Sequence, residues 1–294
     1  MNTNYVVFGD SCIDLPVKIA EELDIKIINY IYTLDGKDYT NYLDYRELSV
    51  QDFYDALRSG KMSTTTQVPA HRYLEEWKPF LENGSDILYM CLSSKLSKSF
   101  EQSILAAREA MEIYPGRKVI TIDSKTASLG QGLLAIYAAR ARNAGKSLDE
   151  AAEYLEEIIK KMHLWAMVDD LHHLKRGGRI TSSQAVIGTM LNVKPILTVL
   201  DDGTLVNCGK VRGRNKGMTF LIECMEKYKY IKDETMIVVG SDLPEPTQQL
   251  TEMIKEKYGV AEIIVSEVGP IIGAHTGPGT LAIVFLGDTE RLKG

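Results

Sequence analysis

Short apolar runs alternate with helical patterns through the first half of the chain, and this alternation most limits the folds open to it. Residues 5–8, 87–92 and 119–122 are such runs, and each is followed by a loop and then by a pattern typical of an amphipathic helix. Parallel strands need a crossover connection, usually a helix, so this order is typical of a mostly parallel sheet with helices on both faces. We therefore predict a Rossmann-like α/β domain over residues 1–160.

Polar residues directly follow the predicted strands of this domain. They form three pairs: Asp10 with Ser11, Ser93 with Ser94, and Asp123 with Ser124. The carboxyl ends of parallel strands lie at one edge of a sheet, where ligands usually bind. Ser93 and Ser94 also precede a predicted helix, whose free N–H groups favour an anion. Thr65 and Thr66 belong to a hydroxyl-rich segment that we predict to be a loop.

The second half of the chain mixes hairpin and helix patterns. Two β-rich runs are joined by Asp201, Asp202, Gly203 and Thr204, which predict a hairpin. Helices are predicted near residues 183–191, 216–229 and 246–257, and strands at 236–240 and 260–265 alternate with the last two of them. This mixture predicts a mixed-sheet α/β domain over residues 161–294.

Residues 268–280 contain four glycines and two prolines around His275 and Thr276. Glycine permits positive φ and proline fixes φ, so we predict a tightly turned loop between strands at 260–268 and 281–286. Two ring nitrogens and a hydroxyl suit the binding of a small anionic group. The alternative is a structural turn with an exposed histidine.

Composition and motif spacing exclude several classes of function. The net charge of −6 disfavours a nucleic-acid partner, and no apolar run is long enough to span a membrane. The four cysteines lack metal-ligand spacing, and no strand leads directly into a glycine-rich nucleotide loop. We expect a cytoplasmic protein without a cofactor, a metal or an integral membrane segment.

One enzymatic interpretation stays open at this stage. Gly9-Asp10-Ser11 matches the element that carries the nucleophile in GDS-type esterases, and Ser11 would then need a histidine base. Asp169 with His172 and Asp170 with His173 both have the Asp-x-x-His spacing of such an esterase, but about 120 residues follow them where the esterases place this pair near the C-terminus. We keep a Ser11 esterase as the alternative function.

Two basic clusters stand out on this acidic chain. The first contains Arg176 and Arg179, and the second contains Arg212 and Arg214. Either could be a solvated surface, or could dock to an acidic partner or a phosphate.

Six motifs occur in order along essentially the whole chain. They are Asp10-Ser11 with Asp14-Leu15-Pro16, Thr65-Thr66-Gln67-Val68, Ser93-Ser94 with Leu96-Ser97, Asp123-Ser124, Leu174 with Arg176-Gly177-Gly178-Arg179-Ile180, and Gly269-Pro270 with Gly273-Ala274-His275-Thr276-Gly277-Pro278-Gly279. Together they resemble the DegV family, bacterial fatty-acid-binding proteins that include the lipid-binding subunits of fatty acid kinase.

The resemblance implies a non-catalytic protein that holds a long-chain fatty acid between its two domains, with the tail in an apolar tunnel. Carried over by position, the carboxylate-binding cluster is Thr65, Thr66, Ser93, Ser94 and His275. In the kinase subfamily, the resemblance further implies that a separate ATP-binding protein phosphorylates the bound carboxylate. We expect the arginines of both basic clusters to face that partner.

Overall fold

The computed structural model describes residues 4–181 and 192–294. The helix predicted near residues 183–191 lies outside them. The strands of the first half are β1 (Tyr5–Asp10), β2 (Ile25–Ile28), β3 (Ile31–Leu34), β4 (Lys37–Thr40), β5 (Ser63–Thr65), β6 (Asp86–Cys91) and β7 (Val119–Asp123). Its helices are α1 (Val17–Glu22), α2 (Val50–Arg58), α3 (Ala70–Glu82), α4 (Ser99–Ile113), α5 (Leu129–Asn143) and α6 (Leu148–Lys161).

The second half continues with a new set of strands. These are β8 (Met162–Met167), β9 (Val193–Val199), β10 (Leu205–Arg212), β11 (Met236–Gly240), β12 (Ile263–Glu267) and β13 (Leu281–Leu286). The helices are α7 (His172–Arg176), α8 (Arg214–Lys227), α9 (Pro244–Tyr258) and α10 (Pro270–Thr276). Within the described residues, no helix combines the length and the apolar character needed to cross a membrane.

The first sheet has the order β2-β1-β6-β7, and all of its pairs are parallel. This confirms the predicted parallel α/β architecture. Strand β1 ends at Asp10 and β7 ends at Asp123, while Ser93 follows β6 by two residues. The polar pairs therefore lie at the carboxyl edge of the sheet, as the strand pattern predicts.

The second sheet is mixed, which confirms the predicted class. Its order is β10-β9-β8-β13-β11-β12, and only the β11–β12 pair is parallel. The β9–β10 hairpin turns at Asp201–Thr204, as predicted. One face of this sheet is covered by α8 and α9, whereas the other packs toward the first half of the chain.

A small third sheet was not predicted from the sequence. Residues 25–34 read as one strand, but they divide into β2, in the first sheet, and β3. Strand β3 pairs with β4 across a turn at Asp35–Gly36, and on its other side with β5, so Ser63–Thr65 of the hydroxyl-rich segment form a strand and not a loop. This pairing holds Thr65 opposite Tyr32.

Helix α5 lies between the two large sheets and belongs to a core shared by both halves of the chain. Its burial on nearly every face explains an amphipathic pattern weaker than that of a surface helix. A Cβ at Gly132 would lie 2.6 Å from the carbonyl oxygen of Ile13. Glycine at this position therefore permits close packing of α5.

Candidate functional site

Helix α10 carries His275 in its last turn, which corrects the prediction of a turned loop. Pro270 occupies the first turn, where its missing N–H costs no hydrogen bond, and Gly277 ends the helix at φ 74°. Ile271 and Ala274 are buried against the first half of the chain. The glycines and prolines therefore begin and end a short helix, and this helix fixes the position of His275.

His275 forms a hydrogen bond with Thr65 across the two halves of the molecule. The distance from Thr65 Oγ1 to His275 Nε2 is 2.8 Å. Burial, followed by the positive charges of Arg179 and Arg176, lowers the pKa of His275 to about 3. The imidazole is therefore neutral at neutral pH. His275 Nδ1 is buried and has no hydrogen-bond partner among the described residues.

Arg179 is half-buried, lines the same cavity as this histidine and is the cation that lowers the pKa of His275 most. Its Nε donates to the carbonyl oxygen of Leu96 at 3.1 Å, and its Nη1 donates to that of Gly177. Burial lowers the pKa of the guanidinium, but an arginine starts so far above neutrality that it stays cationic. A neutral imidazole and a cation therefore converge on one small volume.

These groups line a cavity that we call the head pocket. Thr65, Thr66, Arg179, His275 and Thr276 supply its polar side chains, together with Tyr30, Gln67 and Ser97. Its other walls are apolar and include Leu96, Ala127 and Ile272. Hydroxyls, an imidazole and a guanidinium suit a carboxylate, because each can donate a hydrogen bond to oxygen.

A second cavity, which we call the tail cavity, adjoins the head pocket. The two share Leu96, Ala127, Leu205, Ile272 and Thr276 in their walls. The tail cavity continues over the face of the mixed sheet, on paired strands β8, β9 and β13, with the side chains of Leu164, Ala166, Leu197, Val199, Ala282 and Val284. Its lining is almost wholly aliphatic, which suits an extended hydrocarbon.

The predicted cluster is only partly assembled in this arrangement. Thr65, Thr66 and His275 line the head pocket together. Ser93 is fully buried and donates its hydroxyl to the carbonyl oxygen of Gly203 at 2.9 Å. The backbone N–H of Ser94 donates to Asp123, and Ser94 lines a neighbouring polar cavity instead. For these two serines, contact with a ligand stays a prediction.

The four arginines assigned to a partner surface occupy different environments. Arg176 and Arg212 are exposed, and Arg176 Nη2 lies 2.8 Å from His173 Nδ1. Arg214 is mostly covered and forms an ion pair with Asp169 at 2.9 Å. Arg179 lies in the head pocket. Its position in the pocket was missed because the sequence offered no sign that one arginine of the Arg-Gly-Gly-Arg motif is half-buried.

The geometry gives no support to the esterase alternative. Ser11 is fully buried, and its hydroxyl oxygen accepts a hydrogen bond from the backbone N–H of Tyr30 at 3.0 Å. Among the described residues, neither His172 nor His173 bonds to it, and His173 faces Arg176. In residues 4–181 and 192–294, no group of three or more His, Cys, Asp or Glu side chains could hold a metal ion.

Comparison with known proteins gives a consistent result. The family model described as "Uncharacterised protein, DegV family" matches residues 4–288. The chain is 42% identical to a DegV domain-containing protein of Clostridium perfringens over 288 residues, which are 98% of this chain and 99% of that one.

Solved structures agree with this match. A structure described as fatty acid binding of a DegV family protein from Thermus thermophilus is similar with a TM-score of 0.87 and 29% identity, covering 97% of this chain and 99% of that one. The Streptococcus pneumoniae Fatty Acid Kinase (Fak) B3 protein loaded with linoleic acid has a TM-score of 0.85 at 19% identity, covering 97% and 100%, a likeness of fold alone. The fold, the extent of the family match and the relatives agree, and the chain belongs to the DegV family.

Proposed function

We propose that this protein binds a long-chain fatty acid, with the carboxylate in the head pocket and the tail in the tail cavity. The observation that carries the proposal is that the two cavities adjoin each other and share wall residues such as Leu96 and Ile272. The polar head pocket with its cation matches the carboxylate of a fatty acid, and the aliphatic tail cavity matches its hydrocarbon tail. The fatty-acid binding described for the Thermus thermophilus relative supports the same ligand class.

The tail supplies most of the affinity in this proposal. Burial of a chain of about 16 carbons is worth on the order of 12 kcal/mol gross, at ~0.8 kcal/mol per methylene. Part of this offsets the loss of ligand freedom on binding. Because the tail cavity is aliphatic, it provides little directional preference, and orientation depends on the head pocket.

The head pocket offsets the desolvation of the carboxylate. Thr65 and Thr66 supply hydroxyl donors, neutral His275 supplies a ring N–H, and Arg179 supplies the compensating charge. On binding, the carboxylate takes the one donor that now joins Thr65 Oγ1 and His275 Nε2. Ser93 would then support the loop next to the pocket through Gly203.

We further propose that the bound fatty acid is presented to a separate ATP-dependent kinase in the cytoplasm. A carboxylate oxygen attacks the γ-phosphorus of ATP, the new O–P bond forms, and the bond to the bridging oxygen breaks, so that ADP leaves and an acyl phosphate remains. The ATP and any metal ion would belong to the partner, and no cofactor is required on this chain. The exposed arginines Arg176 and Arg212 are the candidates for docking.

Mass spectrometry of the purified protein tests the proposed ligand. We expect the native protein to carry one fatty acid per chain, which denaturation releases for identification. A protein that stays empty after incubation with long-chain fatty acids, while keeping its folded circular dichroism spectrum, would refute the proposal.

A further inference from the structure

Residues 288–294, which follow β13, run from the second half of the chain onto the first, and we call them the strap. The strap starts on the second half, where the backbone N–H of Asp288 donates to the carbonyl oxygen of Lys229 at 3.0 Å. It reaches the first half at Arg291, whose backbone N–H donates to the carbonyl oxygen of Lys160, in the last turn of α6, at 3.1 Å. The strap therefore joins the two halves.

The side chain of Arg291 adds a buried cation to this contact. Only 4% of Arg291 is exposed. Its Nη2 donates to the carbonyl oxygen of Lys125, in the loop after β7, at 2.6 Å, and its Nη1 donates to that of Ile159 at 3.4 Å. Burial lowers the pKa of the guanidinium to about 10, so the group stays cationic at neutral pH. One charged side chain thus holds two separate segments of the first half.

The environment of this guanidinium leaves the contact able to open. Its Nε has no hydrogen-bond partner among the described residues, and the carboxylates of Asp201, Asp123 and Asp202 stabilise its charge only through space. Arg291 also borders a cavity of about 530 Å³. Separation of a partly unpaired polar contact beside a cavity breaks fewer hydrogen bonds and fewer dispersion contacts than separation of a close-packed interface.

The strap contacts two segments that also form walls of the ligand cavities. Ala127 lies in the loop after β7 that Arg291 holds, and it lines both the head pocket and the tail cavity. Leu205 lines both cavities as well. It follows the β9–β10 turn, in which the backbone N–H of Asp201 donates to the carbonyl oxygen of Leu292 at 2.8 Å. Release of the strap would therefore let a wall from the first half separate from a wall from the second.

We propose that the strap holds the two halves closed over the bound fatty acid, with Arg291 as its positioning residue. The inference rests on the proposed fatty-acid function and adds the control of entry and release. Arg291 lines neither ligand cavity, so it stabilises the closed state equally with and without the lipid. Because the strap must open before the lipid passes in either direction, it limits the rates of both entry and release.

Arg291→Met tests this role, because methionine keeps an apolar stem and removes the charge and the donors. Stopped-flow fluorescence measures entry of cis-parinaric acid, a fluorescent long-chain fatty acid, into the delipidated protein, and displacement by excess palmitate measures release. We expect both rates to rise by about tenfold or more, since a charged hydrogen bond is lost, while the dissociation constant stays within about twofold of wild type. Damage to the ligand cavities would instead raise release alone and weaken binding.

Arg142→Met is the matched control. Arg142 also donates through Nη1 and Nη2 to two carbonyl oxygens, those of Asp24 at 3.2 Å and Leu23 at 2.7 Å, but all three residues lie in the first half. Its guanidinium therefore does not join the two halves, and the variant should exchange fatty acid at the wild-type rates.

A second variant covers the case in which Arg291→Met does not fold, as judged by circular dichroism. Asp201→Ala leaves Arg291 in place and removes the carboxylate that accepts from the backbone N–H of Gly294 at 3.0 Å. The same equal rise in both rates is expected from it, because it loosens the strap on the side of the β9–β10 turn.

The outcomes separate the inference from the function on which it rests. If the folded strap variant exchanges fatty acid at the wild-type rates, raises release alone, or matches Arg142→Met, the inference is wrong and the fatty-acid function stands. If wild type takes up no fatty acid, the proposed function itself fails.

Discussion

At the scale of single residues, the head pocket depends on how closely the backbone approaches His275. The ring is held by Thr65 on one side, and on the other it packs against Gly177, where a Cβ would lie only 2.2 Å from His275 Nδ1. Gly177 follows α7 and precedes Arg179, so one short segment places both the glycine and the cation. Glycine is required at this position for space and not for its backbone conformation, since the φ of Gly177 lies outside the left-handed region.

Gly177→Ala is therefore expected to displace His275 and break its hydrogen bond to Thr65, although residue 177 would not itself touch the ligand. We expect the variant to retain markedly less fatty acid through purification than wild type, with a loss that approaches the one we also expect from His275→Ala. The retained lipid per chain, measured by mass spectrometry, tests this.

Gly209→Ala is the matched control, because a Cβ at Gly209 meets no atom within 4 Å. This variant should retain lipid as wild type does. Full lipid retention by Gly177→Ala would show that the position of His275 does not govern binding.

At the scale of elements, the sequence predicts those whose patterns are set locally. The buried strands β1, β6 and β7 and the helices between them follow from apolar runs and amphipathic patterns. Strand β5 could not be predicted, because a run of Ser and Thr becomes a strand only by pairing with β3. Helix α10 is too short for a helical period to show, and its glycines and prolines read as turn signals.

The residues of the candidate site were likewise predictable only where a local sequence pattern marks them. Thr65 and His275 could be identified from sequence, since hydroxyl-rich and glycine-framed segments are unusual. Arg179 was assigned to the surface because the burial of a charged side chain depends on contacts that form only in three dimensions. Ser93 was assigned to the ligand, and that contact stays a prediction; its hydroxyl also donates to the carbonyl oxygen of Gly203, 110 residues distant in sequence, which no local pattern could show.

The exposed ends of α7 and β10 give a prediction about the partner. Arg176 and Arg212 are exposed there, so the double change Arg176→Gln/Arg212→Gln should lower acyl phosphate formation with the kinase by about tenfold at low salt, with less effect at high salt. Fatty acid binding should not change. The rate of ADP release with fixed kinase measures the effect, and Lys255→Gln on α9 is the control. An unchanged rate at all salt concentrations would remove these arginines from the docking surface.

At the scale of the whole molecule, the buried carboxylate of Asp14 links the two halves of the chain. It does so at the start of helices α5 and α10. Asp14 Oδ2 accepts from the Ser128 hydroxyl, just before α5, at 2.5 Å. Its Oδ1 accepts from the backbone N–H of Gly269, at the start of α10, at 3.0 Å. Burial raises the pKa of Asp14 to about 7, and these hydrogen bonds only partly offset the effect.

This pKa predicts how stability depends on pH. Because the folded state raises the pKa of Asp14 from 3.8 to about 7, the folded protein binds the proton more tightly than the unfolded chain. The stabilisation of the folded state by protonated Asp14 is therefore fully present below about pH 4. It declines by on the order of 4 kcal/mol as the pH rises to about 7. Asp14→Asn removes this titration, and Asn also tolerates the backbone φ of 50° at this position.

We expect the free energy of unfolding of wild type, relative to Asp14→Asn, to fall between pH 4 and pH 7 and to level off above that range. Urea titrations at a series of pH values measure the difference, in which the other titrating groups cancel. Asp24→Asn is the control, since Asp24 is exposed and also has positive φ. A difference between wild type and Asp14→Asn that stays constant over this range would mean that Asp14 is ionised throughout. The carboxylate would then hold α5 and α10 together at every pH, and the link between the two halves would be independent of protonation.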